Sequence, residues 1–216
     1  MTYPTELTGQ EVWGVYVHEP GSLVSNFAIA FTCLILLSLK GTKVRTESKP
    51  WLLFITCIGI GATGGMIVHG FPTYLSELGF YLIWGIKNSF VPLANYFAAI
   101  AILGLNIRGK SKAHILFQLK ALLVIVLLFV SFDFLPAVID LAFTYVFVLA
   151  RCFSKNKPLG SELLKWAFIL ALLSGTLYLF PFRLADGWFT NKDAVHVFVI
   201  VSLVIISSSI KEMHSI

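Results

Sequence analysis

Asp193 and His196 stand three residues apart at the head of an apolar run, residues 197–206, broken only by Ser202. On a helix that spacing puts both side chains on one face, one turn apart. Ionisable groups leading into an apolar helix are costly, so the default expectation for them is a function. His69 closes a second apolar segment. Two imidazoles, a carboxylate such as Asp193 and an open position make the ligand set of a catalytic zinc, whose bound water ionises near neutral pH. Asp140 or Glu19 is then the candidate general base. No HxxxH or HExxH spacing fixes these ligands on one helix, so they must converge from several. The alternative is a pair of histidines hydrogen-bonded within a polar network between helices.

The elements that must bring them together are membrane helices. Of 216 residues, 57% are hydrophobic and 12% charged, about half the charge load of a soluble domain. The net charge of +5 comes from short basic loops. That is a topology signal and not a nucleic-acid footprint, so membrane lipid is the expected partner and nucleic acid is not. Protein partners stay open.

Seven apolar segments fit the length needed to cross a bilayer: 21–39, 50–69, 78–105, 113–132, 134–150, 166–182 and 193–210. Pro92 within the third predicts a kink or a broken helix. Lys40, Lys43, Arg45 and Lys49 follow the first segment, Arg108, Lys110 and Lys112 the third, and Arg151, Lys155, Lys157 and Lys165 the fifth. The positive-inside rule puts these loops in the cytoplasm. The expected fold is therefore all-α: a single polytopic domain in the cell membrane, a seven-transmembrane-helix bundle with its N-terminus outside and its C-terminus cytoplasmic. The first twenty residues have Glu6, Glu11 and Glu19 and no Lys or Arg. They lack the pattern of a cleavable signal and suggest a short acidic tail.

This orientation gathers the polar groups within the spans in their outer halves. Glu19, Ser22 and Asn26 share one face of the first helix, and Gly61, Gly65 and His69 one face of the second, where the glycines would admit a close neighbour. The third helix has Lys87, Asn88 and Asn95, the fifth Asp133, Asp140 and Thr144, and the sixth ends with Ser174 and Tyr178. The inference is a polar cavity open to the outside and sealed below by apolar packing. Asn26, Lys87, Asn88 and Tyr178 join the histidines as candidate site residues. Lys87 and Asp140 each lie about 12 Å below the outer end of their helices, at 1.5 Å per residue. Equal depth allows an ion pair between them, either structural or acting as a coupling or proton-relay pair, and the alternative is that they make no contact at all. Lys120, in an inner half, is expected to snorkel to the cytoplasmic side.

The remaining groups have plainer expectations. Trp13, Trp51, Trp84 and Trp188 fall near segment ends, which suits an interfacial aromatic belt. Ser207, Ser208 and Ser209 are expected to pack or to bond back to their own helix. Three cysteines, Cys33, Cys57 and Cys152, are expected to be inert packing residues with no disulfide framework.

Glu19 and Asn26 around the first helix, His69 ending the second and Asp193-x-x-His196 opening the seventh resemble the CREST superfamily. These are the seven-helix membrane hydrolases that include alkaline ceramidases and adiponectin-receptor-like proteins. The resemblance implies a zinc-dependent amide hydrolase with its N-terminus outside. Its members have a serine one turn before the helix-two histidine and an HxxxH on helix seven, where this chain has Gly65 and Ile200. The chain is also similar to small, uncharacterised bacterial membrane proteins, through Glu19-Pro20, His69-Gly70 and Asp193-x-x-His196.

Three functions are compatible with these residues. One is a zinc-assisted lipid or amide hydrolase. A second is a carrier or receptor for a small ligand. In the third, a structural or partner-binding membrane protein, the polar cluster only specifies helix packing.

Overall fold

The computed structural model describes residues 9–12, 14–39, 48–105, 107, 111–155, 157–158, 160–178, 182–184 and 189–212. Of the earlier expectations, those for Trp13, Trp188, Lys40, Lys43, Arg45, Arg108, Lys110 and the side chain of Tyr178 lie outside the described residues.

Among the described residues seven α-helices run in sequence: α1 (Pro20–Ser38), α2 (Lys49–Gly70), α3 (Glu77–Ile102), α4 (Lys112–Ser131), α5 (Leu135–Cys152), α6 (Ser161–Tyr178) and α7 (Asn191–Glu212). Their ends follow local chemistry. Pro20, Pro50 and Pro136 stand in the first turns of α1, α2 and α5, where a missing N–H leaves no helix hydrogen bond unmade. Ser76 accepts from the Gly79 amide at 3.1 Å and Ser111 from the His114 amide at 3.3 Å, capping α3 and α4. Phe132 ends α4 in the left-handed region (φ 46°), and Asp133 Oδ1 then accepts from the Leu135 amide. Between them these two residues fold the chain directly into α5.

The all-α expectation holds, with two small additions. The first twenty residues contain an antiparallel hairpin, β1 (Gln10–Val12) with β2 (Val15–Val17), where an acidic tail was expected. A second pair, β3 (Arg183–Leu184) with β4 (Phe189–Thr190), precedes α7. Strands of two or three residues leave no alternation to detect. The sixth helix opens at Ser161 and Glu162, residues suited to a helix start, five residues ahead of the apolar span that begins at 166. α3 is continuous through Pro92 and is not broken there.

Five of these helices, α1, α2, α4, α5 and α7, are long and apolar enough to cross a membrane, the pattern of a membrane protein. In α3, Lys87, Asn88, Pro92 and Asn95 lower the mean hydropathy. Contacts run from α1 to α2, α2 to α3, α3 to α5, α5 to α6, α6 to α7 and α7 back to α1. Six helices thus form a closed ring, and α4 packs outside it against α3 and α5. One end of the ring, called upper here, is where α1 and α7 begin and α2 ends. There the amides of His18 and Glu19 donate to the carbonyls of Gly70 and His69 at 3.0 and 2.9 Å, satisfying groups that a helix end leaves open.

The lower half is the apolar core. Trp51, Phe54, Tyr145 and Phe168 pack ring to ring across α2, α5 and α6, among Ile29, Cys33, Ile102 and Ile210. Trp51 is 1% and Trp84 2% exposed, so neither belongs to an interfacial belt. Lateral packing, which distance from a helix end does not specify, decides their burial. Cys33, Cys57 and Cys152 are free and buried. Ser208 bonds back to the Val204 carbonyl, while Ser202 and Ser209 donate across to Ala167 and Gly160 of the neighbouring segment.

Candidate functional site

Within the ring lies a cavity of about 600 Å³, a size suited to a small organic ligand. Residues of α1, α2, α3, α5, α6 and α7, with Asp133 and Phe134 from the α4–α5 turn, form its wall, and α4 contributes none. Ser22, Asn26, His69, Lys87, Asn88, Asp133, Lys192 and His196 supply polar groups toward the upper end. Below them the wall is mostly apolar, with Ile29, Phe54, Ile58, Phe168, Leu203 and Ile206. Burying an apolar body while holding a polar head is the chemistry this division serves.

Two hydrogen-bonded groups hold the histidines. In the first, His69 Nδ1 lies 2.9 Å from Glu19 Oε2, and Lys192 Nζ lies 3.1 Å from Glu19 Oε1. The carboxylate only accepts, so Nδ1 carries the proton and Nε2 is left on the ring's other edge. Glu19 sits at the α1 start, outside the span. Burial alone would raise its carboxyl, but the hydrogen bond and charge of His69, with the charge of Lys192, outweigh it. They hold it well below the usual carboxylate range.

In the second group, Ser25 Oγ donates to Asp193 Oδ1 at 2.8 Å and lies 2.7 Å from His196 Nδ1. A hydroxyl has one proton. Having given it to the carboxylate, Ser25 accepts from His196 Nδ1–H, which again leaves Nε2 as the unengaged ring nitrogen. Asp193 Oδ2 accepts both the amide and the hydroxyl of Thr190 at 2.8 Å. In Thr190-Asn191-Lys192-Asp193 the fourth residue thus satisfies the amide of the first, which is one half of a capping box. Both carboxylate oxygens of Asp193 are occupied by starting α7 and fixing α1 against it.

This arrangement offers a zinc ion no third ligand beside the two imidazoles among the described residues. Among the described residues no group of three or more His, Cys, Asp or Glu side chains is placed to hold a metal. The expected set of His69, His196 and Asp193 is divided between two hydrogen-bonded groups. The resemblance's serine position is also closed, because a Cβ on Gly65 would collide with Asn26 Oδ1. Asn26 itself donates back to the Ser22 carbonyl at 2.7 Å.

The expected Lys87–Asp140 ion pair does not form. Lys120 Nζ lies 2.5 Å from Asp140 Oδ1 and donates to Thr144 Oγ1 at 2.9 Å, and Asn95 Nδ2 donates to Asp140 Oδ2 at 2.6 Å. Lys120 therefore does not snorkel. Its ammonium lies beside the rings of Phe117 and Phe143 and joins α4 to α5. Lys87 packs on α2, where a Cβ on Gly64 would overlap its own Cβ, and it donates to Asn88 Oδ1 at 3.1 Å. Lys87 and Asn95 are eight residues apart on α3, a rotation of about 80°. Equal depth could not reveal that Lys87 turns toward α2 while Asn95 reaches Asp140 on α5.

Neither candidate general base lines the cavity. Glu19 stands behind His69 and Lys192, and Asp140 behind Asn95. Asn26, His69, Lys87, Asn88 and His196 do line it. Sequence reasoning passed over Ser25, Lys192 and Thr190. The Thr-x-x-Asp spacing could have exposed the cap, whereas Ser25 and Lys192 are recognisable only from their partners on other helices.

No curated protein and no solved structure shows significant similarity to this chain. A family model matches residues 22–215, a range that runs from the first turn of α1 through α7. The chain belongs to that family, a family of unknown function (DUF6962).

Proposed function

We propose that this protein is a small-molecule-binding protein of the cell membrane, with the internal cavity as its binding site. The observation that carries this reading is the cavity itself: about 600 Å³, polar toward the end where α1 and α7 begin and mostly apolar below. Its polar wall comes from α1, α2, α3 and α7, with Asp133 from the α4–α5 turn. A cluster that only specified packing would fill its own space with side chains.

In this reading all seven helices cross the membrane, with the N-terminus outside and the C-terminus cytoplasmic. The basic residues of the 39–49, 103–112 and 151–165 segments support that orientation. The polar part of the cavity then lies in the outer leaflet, and the site is a receptor or carrier site loaded from outside or from the membrane. The hydrolase reading is the alternative. It retains two imidazoles on the cavity wall, but the third ligand and both candidate bases are engaged elsewhere.

The test is recovery of a bound molecule. The full chain, purified in mild detergent, should retain a small organic molecule in stoichiometric amount, detectable by native mass spectrometry. Ala171→Trp, which fills the cavity from α6, should remove it without lowering the amount of folded protein. If wild-type and filled variant carry the same molecules, or neither carries any, the binding reading fails.

A further inference from the structure

Lys87 and Asn88 lie side by side on the cavity wall and neither is fully satisfied. Lys87 Nζ has Asn88 Oδ1 as its hydrogen-bond partner, and among the described residues no carboxylate lies within ion-pairing distance of it. Glu19, whose field reaches Lys87, is already held by His69 and Lys192. An ammonium within a membrane span is costly unless a counter-charge or water relieves it. Asn88 is 4% exposed, and its Nδ2 has no hydrogen-bond partner among the described residues. An unmet buried donor is likewise costly.

Elsewhere in the bundle this difficulty is solved with acids. Lys120 has Asp140, and Lys192 has Glu19. Lys87 alone of these three faces the cavity without one. An ammonium and an amide N–H₂ side by side on the wall are donors to the same kind of partner, an oxygen bearing negative charge. Beneath them the apolar wall can hold a chain.

Building on the cavity as a binding site, we infer that its ligand is an anionic amphiphile. A carboxylate or phosphate head accepts from Lys87 Nζ and Asn88 Nδ2, and a single aliphatic chain extends down past Ile58 and Phe168. Lys87 supplies charge and Asn88 direction. Asn88 Oδ1 holds the ammonium toward the head, and no proton or covalent bond needs to move.

Trp84, on the same wall, supplies the readout. The full chain is placed in phosphatidylcholine nanodiscs and titrated with bromine-labelled dodecyl chains bearing a carboxylate, phosphate, hydroxyl or trimethylammonium head. Quenching of tryptophan fluorescence is measured, with Trp84→Phe marking the part of the signal that arises in the cavity. The anionic probes should bind roughly tenfold or more tightly than the alcohol, and the cation should not compete. Lys87→Met should erase this preference while leaving alcohol binding in place. Lys87→Arg should keep it, and Asn88→Leu should weaken it several-fold. Preference for carboxylate over phosphate, or the reverse, would further define the head. Equal binding of anion and alcohol to the wild type, or an unchanged preference in Lys87→Met, overturns the anionic assignment and leaves the cavity as a site for neutral ligands. No binding of any probe to folded protein overturns both.

Discussion

Lys120 Nζ lies 2.5 Å from Asp140 Oδ1, joining α4, the helix outside the ring, to α5 within it. Asn95 of α3 holds the other carboxylate oxygen. This ion pair is distant in sequence from the histidines and takes no part in lining the cavity. It fastens the peripheral helix to the wall that the cavity needs.

Breaking that pair from one side should be severe. Lys120→Met or Asp140→Leu alone leaves an uncompensated buried charge and should cost about 3–5 kcal/mol. The double variant should recover much of the loss, because both charges are gone. A double-mutant cycle from unfolding titrations in detergent measures this coupling. Strictly additive losses would mean that the two groups do not act as a pair.

Glu19 should make stability depend on acidity. Its carboxyl is held below its ordinary value of 4.5 in the folded chain, so the unfolded chain binds a proton more readily. The stabilisation is full above that ordinary value and is lost as pH falls through the lower folded value. The difference in unfolding temperature between wild type and Glu19→Gln should therefore shrink steadily as pH is taken below 4.5. A difference that stays constant across that range would detach Glu19 from the acid response.

Gly65 is where α1 and α2 approach most intimately at the site. Gly65→Ala should force Asn26 out of its position and cost about 1–3 kcal/mol through overpacking. Adding Asn26→Ala should return part of it. Gly65→Ser restores the residue that the resembling hydrolases have there, yet it should destabilise and create no amide hydrolysis. Gain of hydrolysis in that variant would reopen the catalytic reading.

Asp193 should behave as a helix cap and not as a metal ligand. Asp193→Ala should lower stability by about 1 kcal/mol, with a similar loss in Thr190→Ala. Treatment of the wild type with a chelator should leave its unfolding temperature unchanged. A chelator-induced drop that Asp193→Ala abolishes would show a bound metal and reverse this assignment.

Much of the architecture followed from local sequence. Runs of about twenty apolar residues must become helices in lipid, because no water is present to satisfy an open backbone. Pro20, Ser76, Ser111 and Pro136 mark their starts by rules that depend on a few neighbouring residues. The gathering of Ser22, Asn26, His69, Lys87 and His196 in one region also followed, since depth along a helix is a matter of counting. Partner choice did not. Whether Lys87 or Lys120 meets Asp140, and whether Asp193 binds a metal or caps its own helix, depends on each helix's rotation and lateral neighbours. Those are set by packing contacts such as Asn26 on Gly65 and Lys87 on Gly64, which only the assembled bundle contains. Sequence determined which groups would share the upper part of the bundle. Tertiary structure decided that Asp193 and Glu19 are taken up by neighbours, while Lys87 and Asn88 are left facing the cavity.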